Sequence, residues 1–104
     1  MAFDLAILDN QGKPSRQVSI GVAEHFQLLA LAKDQQLPLI QRMSDYYADV
    51  EFSSCELKGF SHELQIVQGC MTSEGKPSPA WILDVMKLVC EAMDLSIGIV
   101  GIAD

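Results

Sequence analysis

The closing run Ile97 to Ala103 (IGIVGIA) constrains this chain more than any other stretch. It is apolar at odd and even positions alike, so as a strand it presents apolar side chains to both faces of a sheet. Such a strand has to be covered on both sides, or paired at an edge with something else. Its natural neighbour lies at the other end of the chain. Residues 3–8 (FDLAIL) alternate, with Phe3, Leu5 and Ile7 on one face. The segment Asp9-Asn10-Gln11-Gly12-Lys13-Pro14 supplies turn residues, and Arg16 to Ile20 alternates again, which reads as a β-hairpin.

The residues between these ends follow a helical period. Gly21 opens VAEHFQLLALAK, in which Val22, Phe26, Leu29 and Ala30 share one face. Pro38 interrupts this helix, because the residue before a proline disfavours helical backbone. Leu39 to Val50 predicts a second helix with Ile40, Met43, Tyr47 and Val50 inward. Ser53 and Glu56 match a capping box at the start of a third helix, which carries Leu57, Phe60, Leu64 and Val67 in phase. Gly59 inside it costs about 1 kcal/mol relative to Ala. After a Ser-, Gly- and Pro-rich loop from Thr72 to Pro79, Ser78-Pro79 starts a fourth helix with Ile82, Val85, Met86, Val89 and Met93 as its buried stripe. The whole is an α+β fold: an N-terminal hairpin, about four helices, and a C-terminal strand completing a small sheet. The expected strand order is 2-1-3, which leaves the apolar last strand at an edge, open to a homodimer or a strand-adding partner.

A chain of 104 residues is the size of one domain, so residues 1–104 are expected to fold together. Folding would bury about 65% of its surface, enough for a core without staples. The three cysteines, Cys55, Cys70 and Cys90, are odd in number and include no CxxC pair, which is not a disulfide framework. The start MAFDLAILDN lacks the basic residues and unbroken apolar run of a signal peptide, and no apolar stretch reaches about 18 residues. A cytoplasmic protein without a membrane span is the expectation.

Charge narrows the function further. Fourteen acidic residues against seven basic ones give a net charge of −7. That field repels nucleic-acid phosphates, whose neutralisation needs clustered Lys and Arg, and the arginines are Arg16 and Arg42 alone. Nucleic acid is therefore not an expected partner. No nucleophile elbow, phosphate loop, dinucleotide fingerprint or zinc-protease motif occurs, so no catalytic residue, cofactor or metal ligand is assigned and an enzyme is not expected. Cys55 and His62 would stand two helical turns, about 10 Å, apart, too far to share a metal or a proton. Cys55 is read as a small buried residue, His62 as a surface residue, His25 as a boundary residue and Cys90 as packing at the edge of the fourth helix's stripe.

The stretch Ser44 to Glu56 (SDYYADVEFSSCE) stands out. It gathers Asp45, Asp49, Glu51 and Glu56 with no basic residue, and interleaves Tyr46, Tyr47 and Phe52. Carboxylates steer a basic partner and aromatic side chains anchor it, so Asp45, Tyr46, Tyr47, Asp49, Glu51 and Glu56 form a candidate protein-binding patch. The bland alternative is a solvated helix face with one tyrosine in the core. Ser44 to Asp49, with Glu51, Glu56 and the closing Gly101-Ile102-Ala103-Asp104, resembles the small acidic immunity proteins that bacteria pair with secreted toxins, including those of contact-dependent growth inhibition. The resemblance implies a cognate toxin, often a nuclease with a basic cleft, blocked by carboxylates standing in for phosphates. A small ligand-binding or enzymatic domain with a pocket between sheet and helices, and a homodimeric regulatory subunit joined through the C-terminal strand, are the alternatives.

Overall fold

The computed structural model describes residues 3–44, 48–72, 75 and 77–103. Strands β1 (Phe3–Leu8) and β2 (Pro14–Ile20) form the hairpin, followed by helices α1 (Val22–Asp34) and α2 (Pro38–Gln41), strand β3 (Val50–Phe52), helices α3 (Leu57–Met71) and α4 (Ala80–Leu95), and strand β4 (Ile99–Ala103). The fold is α+β. Its four strands pair antiparallel in the order β2-β1-β4-β3.

The hairpin forms for the expected reason. Asp9 Oδ1 accepts hydrogen bonds from the backbone N–H groups of Gln11 (2.8 Å) and Lys13 (2.9 Å), and Gly12 takes the left-handed backbone that closes the turn. Residues opposite one another share a face. Phe3 faces Ile20, Leu5 faces Val18 and Gly101, and Val50 also faces Gly101. This is the face on which the helices pack. Phe3 meets the His25 ring of α1 at 5.1 Å, and Phe52 meets Phe60 of α3 at 4.5 Å. Gly101 is needed here: a Cβ would come within 2.7 Å of both Phe3 and Val50.

Three expectations are corrected. The second helix does not run from Leu39 to Val50. It ends at Gln41, and the N–H groups of Arg42, Met43 and Ser44 bond three residues back in a tightening turn. Val50-Glu51-Phe52 then joins the sheet, because its alternation suits β4 better than a helix. Ile40 and Met43 are buried as expected, Val50 is half-buried in β3, and Tyr47 lies outside the described residues. In consequence β4 is an interior strand between β1 and β3, and the free edge expected of it belongs to β3.

The third correction concerns α1, which turns His25, Leu28 and Ala32 inward and leaves Phe26 60% exposed and Val22 42% exposed. Apolar residues surround nearly the whole of this helix, so periodicity alone does not select a face. Stacking on Phe3 selects His25. The stripes of the two long helices are closer to expectation. Leu57, Phe60, Leu64 and Val67 are all buried in α3, and Ile82, Val85 and Val89 in α4, although Leu88 and Ala92 replace Met86 and Met93 as the remaining buried positions.

The short helix α2 is held from outside. Glu63 of α3, 6% exposed, accepts hydrogen bonds from the backbone N–H groups of Ile40 at Oε1 (2.9 Å) and Leu39 at Oε2 (3.2 Å). Four residues cannot sustain a helix alone, and this carboxylate satisfies N–H groups that its first turn leaves open. Gly59 lets the two helices approach: a Cβ there would stand 3.0 Å from Leu39 Cδ1.

Candidate partner-binding face

The side of the sheet away from the helices carries a second apolar surface. Ala6 is fully buried yet does not belong to the core cluster, and the half-buried Leu8, Val100 and Ile102 do not pack against that cluster either. Alternation explains this. With Phe3, Leu5 and Ile7 inward, Asp4, Ala6 and Leu8 face outward, and their neighbours in β4 are Ile102 and Val100. The doubly apolar character of IGIVGIA is thus used twice, for the core and for this outer floor.

Carboxylates border the floor on the β3 side. Glu51 is exposed, opposite Val100, and Asp49 is exposed just before the strand. Two adjoining depressions meet at Leu8, Glu51 and Val100. One, of about 500 Å³, extends towards Arg42, Phe52 and Ser53. The other, of about 230 Å³, extends towards Gly12, Asp49 and Ile102.

Glu56 plays a different part. Its Oε1 accepts the Ser53 N–H at 2.9 Å, completing the expected capping box before α3, and its Oε2 pairs with Arg42 Nη1 at 2.6 Å. The Ser53 N–H holds the Glu56 carboxyl below its ordinary value; desolvation opposes this, and the Ser53 hydroxyl and Arg42 lower it further. Arg42 also donates from Nη2 to the Glu51 carbonyl (2.6 Å) and lies over the Phe52 ring, 4.9 Å from its centre. The acidic stretch therefore does contain a cation in space, supplied from two residues before Ser44. Of the six candidate residues, Asp49 and Glu51 border the floor and Glu56 is engaged with Arg42. Asp45, Tyr46 and Tyr47 lie outside the described residues.

The titratable and nucleophilic residues elsewhere do not converge on this face. Cys55 is exposed in the 3-10 turn Ser54–Glu56, not buried as expected, and His62 is exposed on α3. Cys90 is exposed rather than packed. His25 is fully buried, not a boundary residue. Burial pushes its imidazole below its ordinary value of 6.5, and a hydrogen bond to the Met43 backbone opposes this in part. Among the described residues no three His, Cys, Asp or Glu side chains are grouped to hold a metal ion, and no helix is long and apolar enough to cross a membrane.

The apolar floor is the component that sequence reasoning left out. Its signal was present in the even positions of the C-terminal run, but naming its neighbours requires the register between β1 and β4. No family model matches the sequence, and no curated protein or solved structure matches it.

Proposed function

We propose that this chain is a non-enzymatic protein-binding module of the immunity type, which covers a basic partner, a toxin domain of the nuclease kind, with the outer face of its sheet. The observation that carries the reading is an apolar floor, Leu8, Val100 and Ile102, that takes no part in the core and is bordered by the exposed Asp49 and Glu51. Protein interfaces combine these two parts: desolvated apolar contacts hold the complex, and charges at the rim speed its formation and select its partner. The net charge of −7 extends the same field over the whole molecule. Action on such a partner inside the cell that makes both proteins is part of the proposal.

The test is a pull-down from the source cell at low and moderate salt, with a basic protein as the expected catch. Ile102→Asp should abolish retention at both salt concentrations. Asp49→Asn combined with Glu51→Gln should abolish it at moderate salt and weaken it at low salt, because screening removes what steering remains. Glu56→Gln is the control: it should lower thermal stability and leave retention unchanged. Equal retention by all four proteins, or retention of nothing, sinks the proposal.

A further inference from the structure

The opposite edge of the sheet carries a different surface. Strand β2 is the longest of the four, and its residues Pro14 to Ser19 are exposed except for the half-buried Val18. Its free backbone groups follow from the sheet's alternation. Arg42 donates to the Glu51 carbonyl, so that carbonyl points away from β4. In an antiparallel sheet successive residues direct their N–H and C=O groups to opposite neighbours. Val50 and Phe52 therefore bond to Gly101 and Ile99, Val100 and Ile102 bond towards β1 at Ala6 and Asp4, and Leu5 and Ile7 bond towards β2 at Val18 and Arg16. The Ser15 hydroxyl, which donates to the Ile7 carbonyl at 3.1 Å, independently places that carbonyl on the β2 side. Among the described residues no strand pairs with β2 on its other side, so Gln17 and Ser19 are left with their N–H and C=O groups turned off the open edge.

A groove of about 360 Å³ runs beside this edge, between β2 and α4. Val18, Trp81 and Leu88 form its apolar lining. Its charges balance: Arg16 Nε pairs with Glu91 Oε2 at 3.3 Å, and Lys87 lies one helical turn from Asp84. Backbone donors and acceptors repeating every second residue, about 6.8 Å, match an extended chain and no other common ligand.

We propose that the open edge of β2 and the groove beside α4 form a second binding site, which takes an extended segment of a partner protein as a fifth strand. Main-chain hydrogen bonds to Gln17 and Ser19 hold the segment, and apolar side chains at its alternate positions lie over Trp81 and Leu88. The segment is neutral or basic. The groove itself has no charge preference, whereas the net charge of −7 repels an acidic segment and equally a second copy of this chain.

The experiment pans a phage-displayed library of random short peptides on the full chain and titrates the recovered sequences as synthetic peptides. Recovered peptides should alternate apolar residues and slow amide exchange at Gln17 and Ser19. Methylating the peptide's backbone nitrogens at alternate positions should weaken binding about tenfold or more in one of the two registers and little in the other. Gln17→Pro should weaken it similarly, because an edge strand tolerates proline but loses the outward N–H, while Gln17→Ala should bind as the wild type does. Recovery of no peptide, binding indifferent to N-methylation, or protection around Glu51 in place of Gln17 overturns the proposal; the last of these leaves the outer-face reading standing. Concentration-dependent protection of Gln17 and Ser19 without peptide assigns the edge to a second copy and overturns it as well.

Discussion

At one edge of the sheet β3 offers three residues, and Arg42 fills the outward carbonyl of Glu51; at the other, β2 offers seven residues, and its outward groups at Gln17 and Ser19 meet no strand among the described residues. Both edges are made of the same backbone chemistry and carry the same liability, an invitation to pair with another chain. The difference lies in what the neighbouring side chains do. At β3 a guanidinium from the preceding turn reaches across the strand, whereas at β2 the nearest guanidinium, Arg16, is turned inward to Glu91. At each edge the direction of one guanidinium matters, supplied by the preceding turn at β3 and by the strand itself at β2.

The largest expected effect removes the strand that joins the two edges. Gly101→Val forces a side chain against Phe3 and Val50 and should cost about 3 kcal/mol in urea unfolding, with amide protection lost in β3 before β2. Next, Arg42→Ala exposes the β3 edge. It should lower stability by about 1 kcal/mol in urea unfolding, through the lost carbonyl and ring contacts.

A titration distinguishes the two sides more gently. The unfolded chain protonates His25 below about pH 6.5, whereas burial keeps the folded imidazole neutral to lower pH. Stability should therefore fall as pH drops from 6.5 through that lowered value, and His25→Gln should flatten this limb of a melting-temperature profile. Glu56 acts in a separate, more acidic window. Its lowered carboxyl contributes stability above 4.5 that is lost as pH falls through the folded value, and Glu56→Gln should flatten only that limb. The smallest effect belongs to Arg16→Ala. The pair with Glu91 is exposed on the arginine side, so its loss should change stability by less than about 0.5 kcal/mol while leaving the β2 edge open; a larger loss would mean that Arg16 braces β2 against α4.

The same contrast explains what was legible in the sequence. Elements set by local rules are where the residues put them. The Asp9 turn closes the hairpin, Ser53 and Glu56 box the 3-10 turn that leads into α3, and four in-phase apolar residues face inward along that helix. Elements decided by a distant partner were not legible. Val50-Glu51-Phe52 has too few residues to declare a strand until β4 pairs with it, and α1 has apolar residues on two stripes until Phe3 chooses His25. The candidate site divides in the same way. The exposure of Asp49 and Glu51 follows from their chemistry, but the diversion of Glu56 to Arg42 joins positions fourteen residues apart. The apolar floor beside them joins the two ends of the chain.

The Glu63 carboxylate gives α2 a conditional existence. Because its Leu39 and Ile40 N–H groups are satisfied from α3, the turn at Pro38–Gln41 gains those two bonds only when α3 docks on it, beside the bond that the Gln41 side chain gives to the Ala32 carbonyl of α1. Amide exchange at Leu39 and Ile40 thereby becomes a clock for that docking. Arg42 follows α2 directly in the chain, so loosening of α3 from the short helix should also loosen the grip of Arg42 on the Glu51 carbonyl.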